Sequence, residues 1–517
     1  MKKILLSVFT FMLSAASMQT ATITITVSDT RLQTITGFGA AAFDGAMRPY
    51  AEDKLPAQKL FGKNSPIGLN IMRAEVSPNF KGNITAADIG WDTPYDWYGF
   101  VPCAKVVKER GGIVFATPWS PPGDYKTNGI AGGGNSADQG NLRGELRADC
   151  YEKFFPWINT YLNYMKNCGV AVDAVSVQNE PDWWVSYSGC LYTPEQQVNL
   201  VKNYAHLLDR EKFKGVRLIS AEPLGFDPKY SDALMNDEVA REQIDIVAGH
   251  LYGHPALGNM KKAAVLAEKY GKEIWMTEHS STDNIGERLP NWHEQLLFAE
   301  ELNECMMAGC TGYIYWYMRA HWGFVGTGES KYGTENVKNA LLPRAYVMSH
   351  FSKNVTGSTR LALTSSVKQA GDSGMPVTET PFEISSYIKG DSLIVMAIDT
   401  TKSAHNMKIK LPYTVKSGTH LLSTGNETEN LCQLSDIDIA VPVNEVTVPL
   451  PARSVNTYVF IIDREATGIT TVEQKETRGL TQPTTYYDLH GRRLEQPVRG
   501  FYIEKGPDGI KKRYNSL

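Results

Sequence analysis

Eight short apolar runs punctuate the chain between Gly37 and Met318, each followed by a polar loop and then by residues of helical spacing. They are Gly37–Ala42, Leu69–Glu75, Ile113–Trp119, Ala174–Asn179, Arg217–Ala221, Ile244–His250, Ile274–Glu278 and Tyr313–Met318. Runs this short, apolar on both faces, suit strands of a parallel sheet covered by crossover helices. Candidate helices are Tyr151–Cys168, Pro194–Leu208, Lys261–Tyr270 and Trp292–Met307, with Thr193 as N-cap before a first-turn Pro194. Eight strand–helix units in succession predict an α/β fold, a (β/α)8 TIM barrel, over residues 37–350.

After Phe351 the period shortens. Glu383–Lys389, Ser392–Asp399, Met407–Lys410, Thr419–Ser423, Glu445–Leu450 and Val455–Ile462 read as strands between turn residues, an all-β side sandwich over 351–463. The β-branched alternation TITITV at Thr22–Val27 has no use in a barrel, so residues 22–36 are expected to supply a strand to that sandwich. At 517 residues the chain has room for both.

Both ends read differently again. Lys2 and Lys3, an apolar core from Ile4 to Met12 and small residues Ser14-Ala15-Ala16-Ser17 match a secretory signal over residues 1–21, which implies an extracytoplasmic protein. Residues 464–517 hold a polar linker and then YDLHGRRL and GFYI around Asp/Gly turns, too little for a core of their own. This segment resembles the C-terminal sorting or anchoring tails of secreted bacterial enzymes, and the resemblance implies attachment to a cell surface.

Net charge is −4, with no basic stripe or polybasic run, which argues against nucleic acid or an anionic membrane as partner. Seven cysteines lack CxxC spacing; Cys150, Cys168 and Cys190 could pair or stay as buried thiols. There is no HExxH, and His250 and His254 sit on a strand and loop rather than a helix, so no metal and no cofactor is expected.

Two of the eight runs end in a carboxylate. Ala174–Asn179 leads directly to Glu180 and stops at Pro181, which has no N–H to continue a ladder; Ile274–Glu278 ends in Glu278 before a polar loop. A lone strand-end glutamate is more often a solvated loop acid or half of an ion pair. Two at the same mouth of one barrel are in reach of each other, as retaining glycoside hydrolysis requires of its nucleophile and its acid/base.

Seven stretches carry a resemblance: TGFGAAAFDG (36–45), LNIMRAEVSPN (69–79), FATPWSPPGDYKTNG (115–129), VSVQNEPD (175–182), GHLYG (249–253), IWMTEHS (274–280) and YIYWYMRAHWG (313–323). The chain from Ile23 to Asp463 resembles glycoside hydrolase family 30, most closely its xylan-cleaving, glucuronoxylanase-like branch. Asn-Glu-Pro marks a large clan of barrel glycosidases; TPWSPP with WMTEHS and YWYMR narrows it to the family. The resemblance implies Glu180 as acid/base and Glu278 as nucleophile. It further implies Asn179 on the sugar 2-hydroxyl, Arg73 and Tyr252 beside the nucleophile, Trp119 and Trp316 as walls for sugar rings, and Trp322 and Arg319 as further substrate contacts.

One departure stands out. Members of this branch that require a glucuronic acid side group resemble WYIRRSYG after strand eight, where the second Arg pairs with the uronate. Here the stretch is Trp316-Tyr317-Met318-Arg319-Ala320-His321-Trp322-Gly323, leaving Ala320 at that position, with Arg319, His321 and Lys331 as possible substitutes. The expectation is a secreted, monomeric, retaining endo-β-1,4-xylanase acting on xylan or glucuronoxylan without strict glucuronate dependence. A β-1,6-glucanase, a glucosylceramidase-like β-glucosidase or a non-catalytic carbohydrate-binding surface protein are the alternatives.

Overall fold

The computed structural model describes residues 22–42, 54–78, 97–253, 255–280, 292–319, 323–328, 337–367, 381–425 and 432–465, and in the C-terminal stretch 485–487, 493–494, 500–506 and 509–515. The leader read at 1–21, and Ala320, His321, Trp322, Lys331 and His254, lie outside the described residues.

Strand β1 (Thr22–Thr34) precedes eight parallel strands that close into a barrel. These are β2 (Gly37–Ala41), β3 (Ile71–Val76), β4 (Ile113–Pro118), β5 (Ala174–Ser176), β6 (Arg217–Ile219), β7 (Ile246–His250), β8 (Glu273–Glu278) and β9 (Gly312–Tyr315). Each pairs with the next, and β9 returns to β2 through Gly37↔Gly312. Side chains alternate across every strand. Ile71, Phe115, Ala174, Ile219, Ile246, Ala248, Trp275 and Ile314 fill the barrel interior. Their neighbours Met72, Val114, Val175, Leu218, Val247, Met276 and Tyr313 join the larger core beneath the helices. That division explains why the runs are apolar throughout rather than alternating.

Helices such as Tyr151–Asn167, Pro194–Tyr204, Ala256–Lys269, Trp292–Met307 and Pro343–Asn354 cover the outside. Thr193 closes a capping box: its hydroxyl accepts from Gln196 N at 3.2 Å, and the Gln196 side chain accepts from Thr193 N at 2.6 Å.

The second sheet contains β1, β10 (Thr359–Ser365), β11 (Phe382–Lys389), β12 (Ser392–Asp399), β13 (His405–Thr424), β14 (Gln433–Ile437), β15 (Val443–Leu450) and β16 (Ser454–Ile462). β1 pairs antiparallel with β10 and parallel with β13. The two pieces read as Met407–Lys410 and Thr419–Ser423 are one strand of 20 residues. Its register with β15 slips between Lys410 and Val415, around Pro412, which cannot donate to a ladder. The first half pairs with β1 and β15, the second with β14 and β16.

β12 fastens this domain to the barrel. Leu393, Val395 and Ala397 point into the sandwich core, while Ile394, Met396 and Ile398 belong to the barrel core. His350, on the last barrel helix, is buried against Thr457 and Ser423, both 2.8 Å away. All seven cysteines are free thiols. Among the described residues no helix is long and apolar enough to cross a membrane.

Arg464–Leu517 forms a second unit. Its strands, β17 (Thr485–Tyr487), β18 (Arg493–Leu494), β19 (Gly500–Gly506) and β20 (Gly509–Asn515), make a four-stranded antiparallel sheet in the order β18-β17-β19-β20.

Candidate active site

Several barrel strands end around one buried cluster of charge. Arg73 follows Ile71 by two residues on β3 and therefore shares its inward face. Its guanidinium is fully buried and reaches Glu278 Oε2 at 2.5 Å, Asn179 Oδ1 at 2.7 Å and Glu222 Oε2 at 3.0 Å. His250, at the end of β7, places Nδ1 3.0 Å from Glu180 Oε1 and Nε2 3.4 Å from Glu222 Oε2. The Tyr252 hydroxyl donates to Glu278 Oε1 at 3.1 Å, and the Thr117 hydroxyl to Glu222 Oε1 at 2.8 Å.

Two irregularities aim the glutamates. On β8 Trp275 faces inward, so regular alternation would send Glu278 outward with Met276. The register against β7 shifts after Gly249↔Met276, and His250 pairs with Glu278. This bulge turns the carboxylate into the mouth. Glu180 adopts φ +43°, a left-handed conformation rare for a residue with a side chain. Its N–H donates to the Glu222 carbonyl at 2.9 Å, which ties it to the neighbouring strand end. Backbone strain of this kind persists where the surroundings impose it, and active sites are where it collects.

The charges are interlocked. Burial pushes Glu222 up, but Arg73 and then His250 outweigh it and hold that carboxylate at about 2. Burial opposes a charge on His250, yet Glu278, Glu180 and Glu222 together raise it to about 9, so it is an imidazolium at neutral pH. Burial raises Glu278 against the pull of His250 and Arg73, with Glu180 adding to the rise. Ligand atoms of Glu180, His250 and Glu278 lie within 4.8 Å of one another, a spacing that would admit a cation. Arg73 and protonated His250 already supply positive charge at that point.

Glu180 and Glu278 open into a cavity of about 410 Å³ walled by Trp119, Trp316, Tyr317, Trp183, Tyr187 and Tyr252. The Trp119 and Trp316 rings lie 5.9 Å apart at 32°. The Arg73 guanidinium sits 4.5 Å from the Trp119 ring centroid.

The structure thus brings Glu180, Glu278, Asn179, Arg73, Tyr252, Trp119 and Trp316 to one place. Arg73, expected beside the nucleophile and among the substrate-binding residues, does bond Glu278, but it is fully buried and does not itself line the cavity. Arg319 is buried, its guanidinium donates to the Asn339 side chain, and it is not among the described residues that line the cavity. Trp322 lies outside the described residues. Sequence reasoning missed Glu222, although Glu222-Pro223 repeats the carboxylate-then-proline stop of Glu180-Pro181. It weighed His250 only as a metal ligand.

The description "Glycosyl hydrolase family 30 TIM-barrel domain" fits residues 81–313. Residues 81–313 are a glycoside hydrolase family 30 barrel domain. It is 27% identical over 434 residues to the glucuronoxylanase XynC of Bacillus subtilis, covering 83% of this chain and 89% of that one. Among solved structures, the family 30 subfamily 8 xylanase Xyn30A of Clostridium acetobutylicum superposes with a TM-score of 0.65 at 28% identity, covering 85% of this chain and 99% of that one. A family 30 endoxylanase of Clostridium papyrosolvens gives 0.63 at 25% identity, over 85% and 100%. The chain is therefore a glycoside hydrolase, and its relatives imply a polysaccharide substrate.

Proposed function

We propose that this family 30 enzyme is an exported, retaining endo-β-1,4-xylanase that does not require a glucuronic acid side group. The observation that carries the mechanism is the pair Glu180 and Glu278, with oxygens within 4.8 Å at the mouth of one cavity. Retaining enzymes hold their two carboxyls ~5–5.5 Å apart, whereas inverting ones leave room for a water between them.

The roles follow from the partners. Glu278 receives a donor on each oxygen, from Arg73 and from Tyr252, which orients it as the nucleophile. It attacks the anomeric carbon as the glycosidic C–O bond breaks, and the bonding pair leaves on the oxygen. Glu180 gives that oxygen its proton, then takes one from water as the water displaces Glu278 from the glycosyl-enzyme. His250 and Arg73 hold the two carboxylates in place through Glu222. Trp119 and Trp316 supply the flat apolar surfaces on which sugar C–H faces pack.

Xylan as substrate is supported by relatives named as xylanases. Independence of glucuronate is supported by Ala320 in place of the second Arg, and by the burial of Arg319, the nearest candidate to replace it. Export is supported by the leader-like residues 1–21 and surface attachment by the tail from 464.

The test is incubation with glucuronoxylan, linear xylo-oligosaccharides and β-1,6-glucan, with products separated by size and mass. Unsubstituted xylo-oligosaccharide products are expected. Products that all carry one uronate at a fixed offset would reject the glucuronate claim, and cleavage of the glucan alone would reject xylan.

A further inference from the structure

We propose that Lys126 is a positioning residue for this site: its ammonium clamps the loop after β4 to the loop after β5 and so fixes one wall of the cavity. The inference rests on the reading of that cavity as the sugar site and adds what holds its shape.

Lys126 is 2% exposed, and among the described residues no carboxylate pairs with it. Its N–H groups go instead to main-chain carbonyls. Ala131 and Gly132, in the loop after β4, accept at 3.1 and 2.8 Å, and Gly189, in the loop after β5, accepts at 2.6 Å. Three bonds are the full donor capacity of an ammonium. The Ala131 carbonyl also accepts from Gly189 N at 3.3 Å, and that of Gly132 from the Asn128 side chain at 3.0 Å. Among the described residues the Gly189 carbonyl has Lys126 alone as donor. Gly189 directly follows Ser188, which lines the cavity together with Trp183 and Tyr187.

The two loops are laced on either side of this point. Gly133 N donates to the Tyr187 carbonyl at 2.8 Å and Asn135 N to that of Val185 at 3.0 Å; beyond the lysine, Leu191 N donates to the Gly144 carbonyl at 2.9 Å. Gly144 leaves room for the lysine stem, since a Cβ there would meet Lys126 Cε at 2.8 Å. An apolar side chain could fill the same space without the cost of burying a charge. What the charge adds is the third donor. A neutral amine keeps two N–H groups and turns a lone pair toward the third carbonyl, where two lone pairs repel.

Burial holds Lys126 down to about 8, with Cys190 opposing the fall. Cys190, pushed up to about 12 by burial, and Tyr192, Tyr151 and Tyr125, all raised by burial, keep their protons when Lys126 gives up its own. Glu145 accepts from the Gln196 side chain at 3.1 Å, and Arg147 pairs with Asp149. Since about 8 lies below the ordinary 10.5, the folded chain binds fewer protons than the unfolded one between those values. Stability from this group therefore rises across that window. A loss of activity there that tracks Lys126 is a change in the loops, not unfolding.

The test follows amide hydrogen exchange of both loops from about pH 6.5 to about pH 9.5, as protection relative to an unstructured chain. Beside it, kcat and KM are measured on dinitrophenyl β-xylobioside, whose leaving group needs no proton from Glu180. In the unaltered protein the Gly133, Asn135 and Gly189 amides are expected to lose about tenfold in protection through about pH 8, while KM rises about tenfold and kcat holds. Lys126→Met should start at the alkaline values of both and show neither step. Lys126→Arg, which keeps its charge, should hold both steps off. Constant protection in the unaltered protein, or steps that persist in Lys126→Met, overturn the proposal. If either variant fails to fold by circular dichroism, the exchange profile of the unaltered protein decides. If the unaltered protein does not cleave the xylobioside, the xylan reading fails, and exchange, which needs no substrate, still decides the clamp.

Discussion

Glu222 Oε2 stands 3.0 Å from Arg73 Nη2, both side chains wholly out of solvent and neither lining the cavity. The same oxygen lies 3.4 Å from His250 Nε2, so one hidden carboxylate anchors the partners of both cavity glutamates. Removing one member of a buried charge group leaves the others uncompensated. Glu222→Gln is expected to cost about 3 kcal/mol of stability. It should also lower kcat by about a hundredfold, because Arg73 and His250 lose the anion that orients them. Chemical denaturation and steady-state kinetics read the two effects, and an unchanged kcat would show that Glu222 serves folding alone.

Glu278→Gln is expected to abolish turnover with the fold intact, since the amide keeps the hydrogen-bond shape but cannot attack. Activity above about a hundredth of the unaltered protein would reject the nucleophile assignment. Glu180→Ala should behave differently. On a glycosyl fluoride it still forms the glycosyl-enzyme, and added azide should rescue turnover to a β-glycosyl azide. An α-azide from that variant would mean the two roles are reversed.

At the seam between barrel and sandwich, Glu300, Glu304 and Glu383 are buried together, with Asn303 bridging to Glu383 and Ser385. Burial, and then Glu304, raises Glu300 to about 8; burial raises Glu304 to about 7. The folded state therefore keeps protons that the unfolded chain, with an ordinary value of 4.5, releases. The contribution of Glu300 and Glu304 to stability is full below about pH 4.5 and is lost as pH rises to about 8, where Glu300 ionises. Glu304→Gln should flatten that decline in a Tm-against-pH series. An equally steep series would place the pH dependence elsewhere.

A barrel cut at residue 350 should not fold alone. Ile394, Met396, Ile398, Tyr387 and Val455 of the sandwich are members of the barrel core, and the truncation would expose their counterparts to water. Met396→Ala, which removes one such side chain, is expected to cost about 2–5 kcal/mol. Urea unfolding of the intact chain should show residues of both domains melting together; a separate early step for the sandwich would contradict this coupling.

All eight barrel strands were legible as apolar runs, because burial on both faces writes itself into every position of a strand. Glu180 and Glu278 were legible because each run stops on a carboxylate followed by polar or proline punctuation. Glu222 escaped since the apolar run closed at Ala221, and the pairing of Asn179 with Glu222 extends that strand only when the neighbouring one is present. Trp183 and Trp184 are identical in the sequence and opposite in use, one open to the cavity and the other bonded to Gly133. The paired strand β13 was read as two because Pro412 interrupts its pattern, although the chain runs on through a register slip.

Composition and spacing by themselves determined the α/β barrel, the β-rich C-terminal half and the two strand-end glutamates, since these depend on each residue's own preference for water or core. Which groups meet was decided only by closure of the barrel. Strict alternation from Trp275 would point Glu278 toward the helices; the slip that pairs it with His250 exists only between β7 and β8. The positive φ of Glu180 and the buried links among Glu222, Arg73 and His250 have the same origin. They are pairings between residues far apart in sequence, and no local pattern can encode the distance between two strands that have yet to meet.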